Sequence, residues 1–364
     1  MTDTKKTFVT MGIAAYNVRE DFLRSCIESV IKNSDECTQI IIVDDCSNES
    51  TAKICRGYNE SDSRILYIRH EENKGIGAVR NTIIKNASGK HLLFIDGDDM
   101  LECNFADCVT YEQCEKYDMI FFAAPTSSKA LQLKELSEAA VSDMLASAVT
   151  RRETRNDELK GYAIHPGSVC SVLYRTDFLR KNGCRFKTEV KIAEDSMFNA
   201  SAYLAHPKIA IYPKRIYYYR NNPQSVTRRY DKNAKALTDC CLNVIEAFIA
   251  ENNVPIREPF IKYRCTSAVI DNFKRDIFHR DNPKSRHERK KDFLHLINSE
   301  PYKTALSEAI PRDFVNHKMR LTVILAKKRR FAALDFCFRH KLVFRLYGGV
   351  ISRIKKIKGM LSDE

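Results

Sequence analysis

The sequence predicts an α/β fold: a mostly parallel β-sheet flanked by helices, with a helical C-terminal region. Three observations lead there. Short runs of consecutive apolar residues, such as Leu92 to Ile95, alternate with longer stretches in which apolar residues recur at helical spacing. Runs apolar on both faces are what strands need when helices cover both sides of a parallel sheet. Several of these runs also end in polar or acidic residues, at Tyr16-Asn17, Asp44-Asp45 and Asp96-Gly97-Asp98-Asp99.

Taken in order, Phe8 to Ala15 reads as a first buried strand. Phe22, Leu23, Cys26, Ile27, Val30 and Ile31 form an apolar stripe along one helix face. Ile40 to Val43 is a second strand, and Ser47 to Ser50 supply turn and cap residues before a short helix through Tyr58. Ile65 to Ile68 is a third strand. Asn73-Lys74-Gly75-Ile76-Gly77 is a glycine-bearing loop opening a helix over Ala78 to Ala87, which Ser88-Gly89 stops before the strand of Leu92 to Ile95. This alternation implies right-handed crossovers and parallel pairing. The polar ends then share one sheet edge, where open α/β sheets bind their ligands.

Further on, Asp118 to Ala124 and Val169 to Tyr174 are strand-like, and Ser196 to Ala205 is a helix preceded by Glu194-Asp195. Ser127 to Asn156 reads as polar and helical in places, an excursion on the acceptor side or a mobile lid. From about Asn233 the pattern turns helical (Leu237, Cys241, Val244, Ile245, Phe248), and the charged Arg280 to Lys291 reads as a loop dividing helices.

Carboxylates one residue apart repel each other unless a cation sits between them. Asp96 and Asp98 are hard oxygen ligands suited to Mg²⁺ or Mn²⁺, which take their remaining ligands from water and substrate phosphates. A solvated acidic turn is the competing reading.

The 364-residue chain has room for about two domains. No apolar run approaches the roughly 18 residues needed to span a bilayer. The short apolar stretch near the N-terminus leads into Asn17, Arg19, Glu20 and Asp21, so it reads as a strand and not a signal peptide, with a cytosolic protein expected. The 13 cysteines are scattered, with only Cys240 and Cys241 adjacent and no C-x-x-C pair, which argues for reduced thiols over a disulfide or zinc framework. The segment from His317 to the end carries +10 of the chain's net +13. There, basic residues mix with Phe336, Phe338, Leu342, Val343, Phe344, Leu346, Val350, Ile351, Ile354 and Ile357, the composition of an interfacial amphipathic helix. An ordinary packed helix with a basic outer face is the alternative.

At this point the chain resembles the family 2 inverting glycosyltransferases, particularly bacterial members that build lipopolysaccharide and capsular polysaccharide. The resemblance covers roughly residues 7 to 230. It rests on the strand Val9 to Asn17, the turn Ile42-Val43-Asp44-Asp45-Cys46-Ser47, and Asn73-Lys74-Gly75 with Ala78-Val79-Arg80-Asn81. It continues in Asp96-Gly97-Asp98-Asp99, which matches the family's D-x-D metal motif. Glu194-Asp195 and Tyr217-Tyr218-Tyr219-Arg220, with Ser225 and Thr227, match its acceptor half. Ala14 and Cys46 depart from the family, standing where a proline and a glycine are usual.

The resemblance implies a GT-A, Rossmann-like fold and a nucleotide-sugar donor, a UDP-sugar by preference. Ala15, Tyr16, Asn17, Asp44, Asp45, Asn73, Gly75, Arg80, Asn81, Asp96 and Gly97 would bind that donor, with Asp45 on the base. Asp98, assisted by Asp96, would hold Mn²⁺ or Mg²⁺. Asp195 would be the catalytic base, with Glu194 raising its pKa through like-charge repulsion. Asp99, His165 and Arg220 fall to the acceptor side or the pyrophosphate. The acceptor would be a glycan or lipid-linked saccharide. The implied organisation is a catalytic domain over 1–230, a helical accessory region over 231–316, and a basic membrane-associating tail over 317–364. That tail would attach the protein to anionic lipid on the cytoplasmic face of the inner membrane. Two other readings compete. A sugar nucleotidylyltransferase would want a glycine-rich loop after the first strand, and Tyr16-Asn17-Val18-Arg19 has no glycine. A non-catalytic protein binding membrane or nucleic acid through its basic tail is the second, and charge placed beside large apolar residues favours lipid over nucleic acid.

Overall fold

The computed structural model describes residues 7–126, 132–222, 229–314, 316–340, 343–344 and 346–348. By its contacts the chain divides into two units, Met1–Val149 with Thr154–Asn222, and Thr150–Glu153 with Pro223–Glu364.

The first unit is built on strands β1 (Val9–Ala15), β2 (Thr38–Asp44), β3 (Ile65–Arg69) and β4 (His91–Asp96). They are joined by helices α1 (Glu20–Lys32), α2 (Glu49–Ser61) and α3 (Ile76–Asn86). These four strands are parallel, in the order β3-β2-β1-β4. Alternate residues of each strand feed opposite cores. Met11, Ile13, Ile40, Ile42, Leu93 and Ile95 pack with Leu23, Ile27 and Val30 of α1. Ile41, Val43, Leu92 and Phe94 pack with Val79, Ile83 and Ile84 of α3. Both faces are therefore dry, as the unbroken apolar runs require. The chain winds from β1 outward to β3, then returns to place β4 on the other side of β1. That reversal opens a crevice beyond the carboxyl ends of β1 and β4.

Beyond β4 the strand directions become mixed. The ribbon strand β5 (Met100–Leu101) and the short helix α4 (Tyr111–Cys114) lead to β6 (Met119–Phe122). β7 (Lys134–Glu135) and helix α5 (Glu138–Thr150) follow, then β8 (Val172–Arg175), α6 (Thr176–Lys181), α7 (Glu194–Leu204), β9 (Ile209–Tyr212) and β10 (Tyr217–Tyr218). β8 runs antiparallel between β4 and β6, and β10 pairs antiparallel with β5 to form a separate ribbon. The polar excursion or lid expected over 127–156 is corrected in part, because α5 places Ala140, Val141, Met144 and Ala148 in the core. Small alanines hid that apolar face in the sequence. Residues 127–131 lie outside the described residues.

The second unit is helical: α8 (Ala234–Glu251), α9 (Arg257–Pro259), α10 (Thr266–Asn272), α11 (Arg286–Asn298), α12 (Tyr302–Glu308), α13 (His317–Lys327) and α14 (Phe331–Arg339). π-Helical turns at Phe260–Cys265 and Phe273–Ile277 flank α10. The charged segment expected as a loop becomes helix from Arg286, because Ser285 and Glu288 form a capping box. Phe331 of α14 packs against Phe278 and Phe293, and Val323 of α13 joins Tyr263, Ile270 and Phe314. The described part of the basic C-terminal stretch thus turns an apolar side into its own unit. It leaves Phe336 and the run Lys327 to Arg330 exposed. Leu342, Val350, Ile351, Ile354 and Ile357 of that stretch lie outside the described residues. Among the described residues no helix is long and apolar enough to cross a membrane.

Candidate functional site

Strand register brings the polar ends together. Ala15 lies opposite Asp44, and Ala14 opposite Asp96, so all three clusters leave the same edge. The turn after β4 is tight: the Gly97 N–H donates to the Ala14 carbonyl at 2.9 Å. A β-carbon on Gly97 would lie 2.7 Å from that oxygen, which only glycine avoids.

At the β2 end the two adjacent acids have different tasks. Asp44 is fully buried, accepting from the Ser47 N–H at 2.8 Å and the Tyr67 hydroxyl at 2.8 Å. It thereby fixes the turn at the carboxyl end of β2. Asp45 takes the Lys74 N–H at 2.9 Å and the Gly75 N–H at 2.7 Å, and pairs with His70 Nδ1 at 2.7 Å. Asn73 donates its side-chain amide to the Asp45 carbonyl at 3.4 Å. Asp45 therefore straps the 73–75 loop over the crevice floor. Gly75, with φ 86° and ψ 162°, occupies a conformation open essentially to glycine alone and starts α3. Cys46 is held at φ 60°, the left-handed region, so the glycine usual at this position in the family has a backbone reason. Asn17, at φ 47°, accepts the Asn48 N–H on its side chain, and Tyr16 stands 52% exposed at the rim. His70 is a member of the site that the sequence did not mark. Its other ring nitrogen meets the Thr82 hydroxyl at 2.9 Å.

The acidic turn is gripped from the far end of the unit. Asp99 is 1% exposed and accepts from the Tyr217 hydroxyl at 2.7 Å and the Arg220 N–H at 2.8 Å. Burial pushes its carboxyl up to about 7. Asp96 and Asp98 add to the rise, and the two donors oppose it. Tyr217 also takes the Asp96 N–H at 3.1 Å, and Asn222 donates to Asp98 at 2.9 Å. Asp99 thereby ties residues 217 and 220 to the acidic turn. The Arg220 guanidinium stacks on the Phe22 ring, 4.1 Å from its centroid.

The centre of the site is Arg80, which is 2% exposed. Its Nη2 donates to Asp96 at 2.8 Å, and its Nη1 to Glu194 at 3.2 Å and to Asp195. One guanidinium thus bridges the D-x-D turn and the first turn of α7 as a shared counter-ion. α7 starts after Ala193, another left-handed residue at φ 65°, so both acids sit at a helix N-terminus, where negative charge is favoured. Three carboxylates still share one cation. Burial lifts the Asp195 carboxyl above the usual carboxylate range; Arg80 opposes the rise, and Glu194 and Asp96 add to it. Cys170, also unmarked by the sequence, donates its thiol to Asp96 at 3.7 Å, and burial keeps that thiol neutral.

The Asn81 amide is used on both sides by the Phe186 main chain, at 2.8 and 2.9 Å, so it pins that loop. His165 has an exposed side chain on a loop held to α7 by Asn199 and Tyr203, through the Pro166 carbonyl at 2.9 and 2.7 Å. Ser225 and Thr227 lie outside the described residues.

A crevice at the switch point of a doubly wound sheet is the place where open α/β proteins bind their ligands. Residues 10–183 match the model of glycosyl transferase family 2. Glycosyltransferase GlyA of Streptococcus pneumoniae is 29% identical over 265 residues, covering 70% of this chain and 36% of that protein. TarS of Staphylococcus aureus, a poly(ribitol-phosphate) β-N-acetylglucosaminyltransferase, is 25% identical over 210 residues, 57% of this chain and 34% of that protein. The chain therefore spans about a third of the length of either relative. The crystal structure of TarS residues 1–349 with UDP-GlcNAc superposes with a TM-score of 0.54 at 17% identity, covering 92% of each chain, a likeness of fold. Residues 10–183 thus carry the sequence pattern of glycosyl transferase family 2, and the fold is of the GT-A type.

Proposed function

We propose that this chain is an inverting glycosyltransferase. It moves a sugar from a nucleotide-sugar, preferentially a UDP-sugar, to a hydroxyl of a glycan or lipid-linked glycan in cell-surface polysaccharide synthesis. The observation that carries this reading is the Arg80 bridge, which sets the Asp195 carboxylate against the Asp96–Asp98 turn. TarS, a β-N-acetylglucosaminyltransferase whose structure holds UDP-GlcNAc, supports the choice of donor.

Inverting transfer needs one carboxylate to take the proton of the acceptor hydroxyl as its oxygen attacks the anomeric carbon from the face opposite the leaving group. Asp195 fills that role. Its raised pKa matches it to proton transfer near neutral pH. Glu194 and Arg80 orient it, and Asp45 with the strapped 73–75 loop receives the base. The donor set at the turn fits a divalent cation held by few protein ligands. Asp98 is partly exposed, whereas Asp96 is already engaged by Arg80, and among the described residues no three His, Cys, Asp or Glu side chains gather into a full protein cage. Mn²⁺ or Mg²⁺ on Asp98 would neutralise the charge of the departing nucleoside diphosphate.

The test is turnover of a UDP-sugar panel by the wild type, Asp195→Asn and Asp98→Asn. Transfer should fall at least a hundredfold in both variants, with metal-dependent UDP binding lost only in the second. Full transfer by both would sink the proposal. Association with anionic lipid on the cytoplasmic face of the inner membrane is proposed for the C-terminal stretch, supported by the exposed Phe336 and the exposed run Lys327 to Arg330.

A further inference from the structure

Away from the acidic crevice, two thiols and an ammonium group meet. Cys103 and Cys108 flank the 3₁₀ turn Phe105–Asp107, near enough for each thiol to feel the other's charge. The Lys214 ammonium lies near both sulfurs and acts on them electrostatically. Each thiol also donates to a main-chain carbonyl, Cys103 to Arg215 at 3.9 Å and Cys108 to Asn104 at 3.8 Å. The surrounding backbone is tied down. The Glu102 N–H donates to the Ile216 carbonyl at 2.8 Å, and the Glu102 carboxylate takes both guanidinium arms of Arg215 at 2.6 and 2.7 Å. Both cysteines are free and half-buried, whereas Cys26, Cys55 and Cys114 of the same unit are sealed in the core.

The chemistry of such a cluster is specific. A neighbouring cation favours the thiolate, the nucleophilic form of cysteine. Burial acts the other way on Cys108, raising it to about 11, with Cys103 adding to the rise and Lys214 opposing it. A thiol near solvent beside a more protected one is the arrangement by which dithiols close through a mixed disulfide. Neither thiol contacts the reacting carboxylates, so the reaction proposed above leaves them unused.

We propose that Cys103 and Cys108 form a redox-active dithiol that closes to an intrachain disulfide on meeting low-molecular-weight disulfides of the glutathione class. The Cys103 thiolate attacks one sulfur of glutathione disulfide and expels one glutathione, which takes up a proton. Cys108 loses its proton to solvent and attacks the Cys103 sulfur, expelling the second glutathione. Two cysteine thiols are oxidised, one glutathione disulfide is reduced to two thiols, and Lys214 keeps its charge throughout.

The test uses the full chain in buffers of graded oxidised-to-reduced glutathione, acid-quenched and alkylated. Cleavage before Asp107 and after Glu112 puts Cys103, Cys108 and Cys114 on three separate fragments, which mass spectrometry reads. The fragments bearing Cys103 and Cys108 should be joined at ratios that leave Cys114 and the exposed Cys240 alkylatable. Lys214→Met should close at least threefold more slowly. Cys103 and Cys108 recovered separately, each alkylated or each carrying glutathione, at ratios that already modify Cys240 would overturn the proposal. Closure of Lys214→Met at the wild-type rate would remove Lys214 from it.

Discussion

Replacing Arg80 with methionine keeps most of the side-chain volume and deletes the cation that, among the described residues, pairs with Asp96, Glu194 and Asp195. Two effects should appear together. Removing one partner of a buried ion pair leaves uncompensated charge and costs about 3–5 kcal/mol. The second effect falls on the base. At about 4 Å and an effective dielectric of 20, loss of one opposite charge is worth roughly 4 kcal/mol, or about 3 pH units as an upper bound. The Asp195 side chain is 23% exposed, so water and relaxation reduce this, and a rise of about 1–2 units is expected.

The sign is fixed by the chemistry. A general base works when ionised, so raising its pKa moves the rising limb of kcat/KM to higher pH. At pH 7 the variant should lose about ten- to a hundredfold in kcat/KM, and alkaline pH should restore part of the loss. Arg80→Lys keeps the charge without the fork and should fall between the two. The assay is a pH–rate profile with a UDP-sugar donor, alongside a urea unfolding curve. A rising limb within a few tenths of a unit of the wild type, with stability unchanged, would refute the account of Arg80 as the shared counter-ion.

Three further outcomes follow from the same geometry. Asp99, raised to about 7 in the fold, contributes stability that is complete below its unfolded pKa of about 4 and is lost as pH rises through 7. Between pH 5 and 8 that is a loss of about 2–3 kcal/mol, which Asp99→Asn should abolish as a slope in urea midpoints. Cys46→Gly relieves a left-handed β-carbon and gives up the Sγ donation to the Glu71 carbonyl at 3.3 Å. It should raise stability by about 0.5–1 kcal/mol, read as a melting shift of a few degrees. Deleting residues 317–364 should abolish co-sedimentation with anionic vesicles, and retention on the vesicles by the truncated chain would remove the proposed lipid contact.

The four parallel strands were legible because each is an unbroken apolar run, and burial on two faces leaves no other composition open. The shared edge was legible too, since strand ends in a parallel sheet converge whatever the helices do. The direction of β8 was not, because an antiparallel insertion has the same short apolar run as a parallel strand. Motif matching singled out Arg80, Asn81 and Asp44 but could not name their partners. Arg80 meets acids 16, 114 and 115 residues away, and only the folded backbone brings them together. Asp44 and Asp45 look equivalent as neighbours, yet one points into the core and the other toward the 73–75 loop, because successive residues at a strand end face opposite ways.

The grip of residues 217 to 222 on the acidic turn has a consequence for how the protein is made. Asp98 and Asp99 are held by groups 118 to 124 positions downstream. On the ribosome, the glycine-bearing turn emerges long before anything can hold it. Until residue 222 has left the exit tunnel, Asp99 would have to sit in a closing core without its two donors. The crevice therefore matures late, at a single point in translation. A nascent chain carrying everything up to residue 183 would have the parallel sheet yet lack both Asp195 and the segment that holds the Asp96–Asp99 turn, so it would be folded in part with its crevice incomplete.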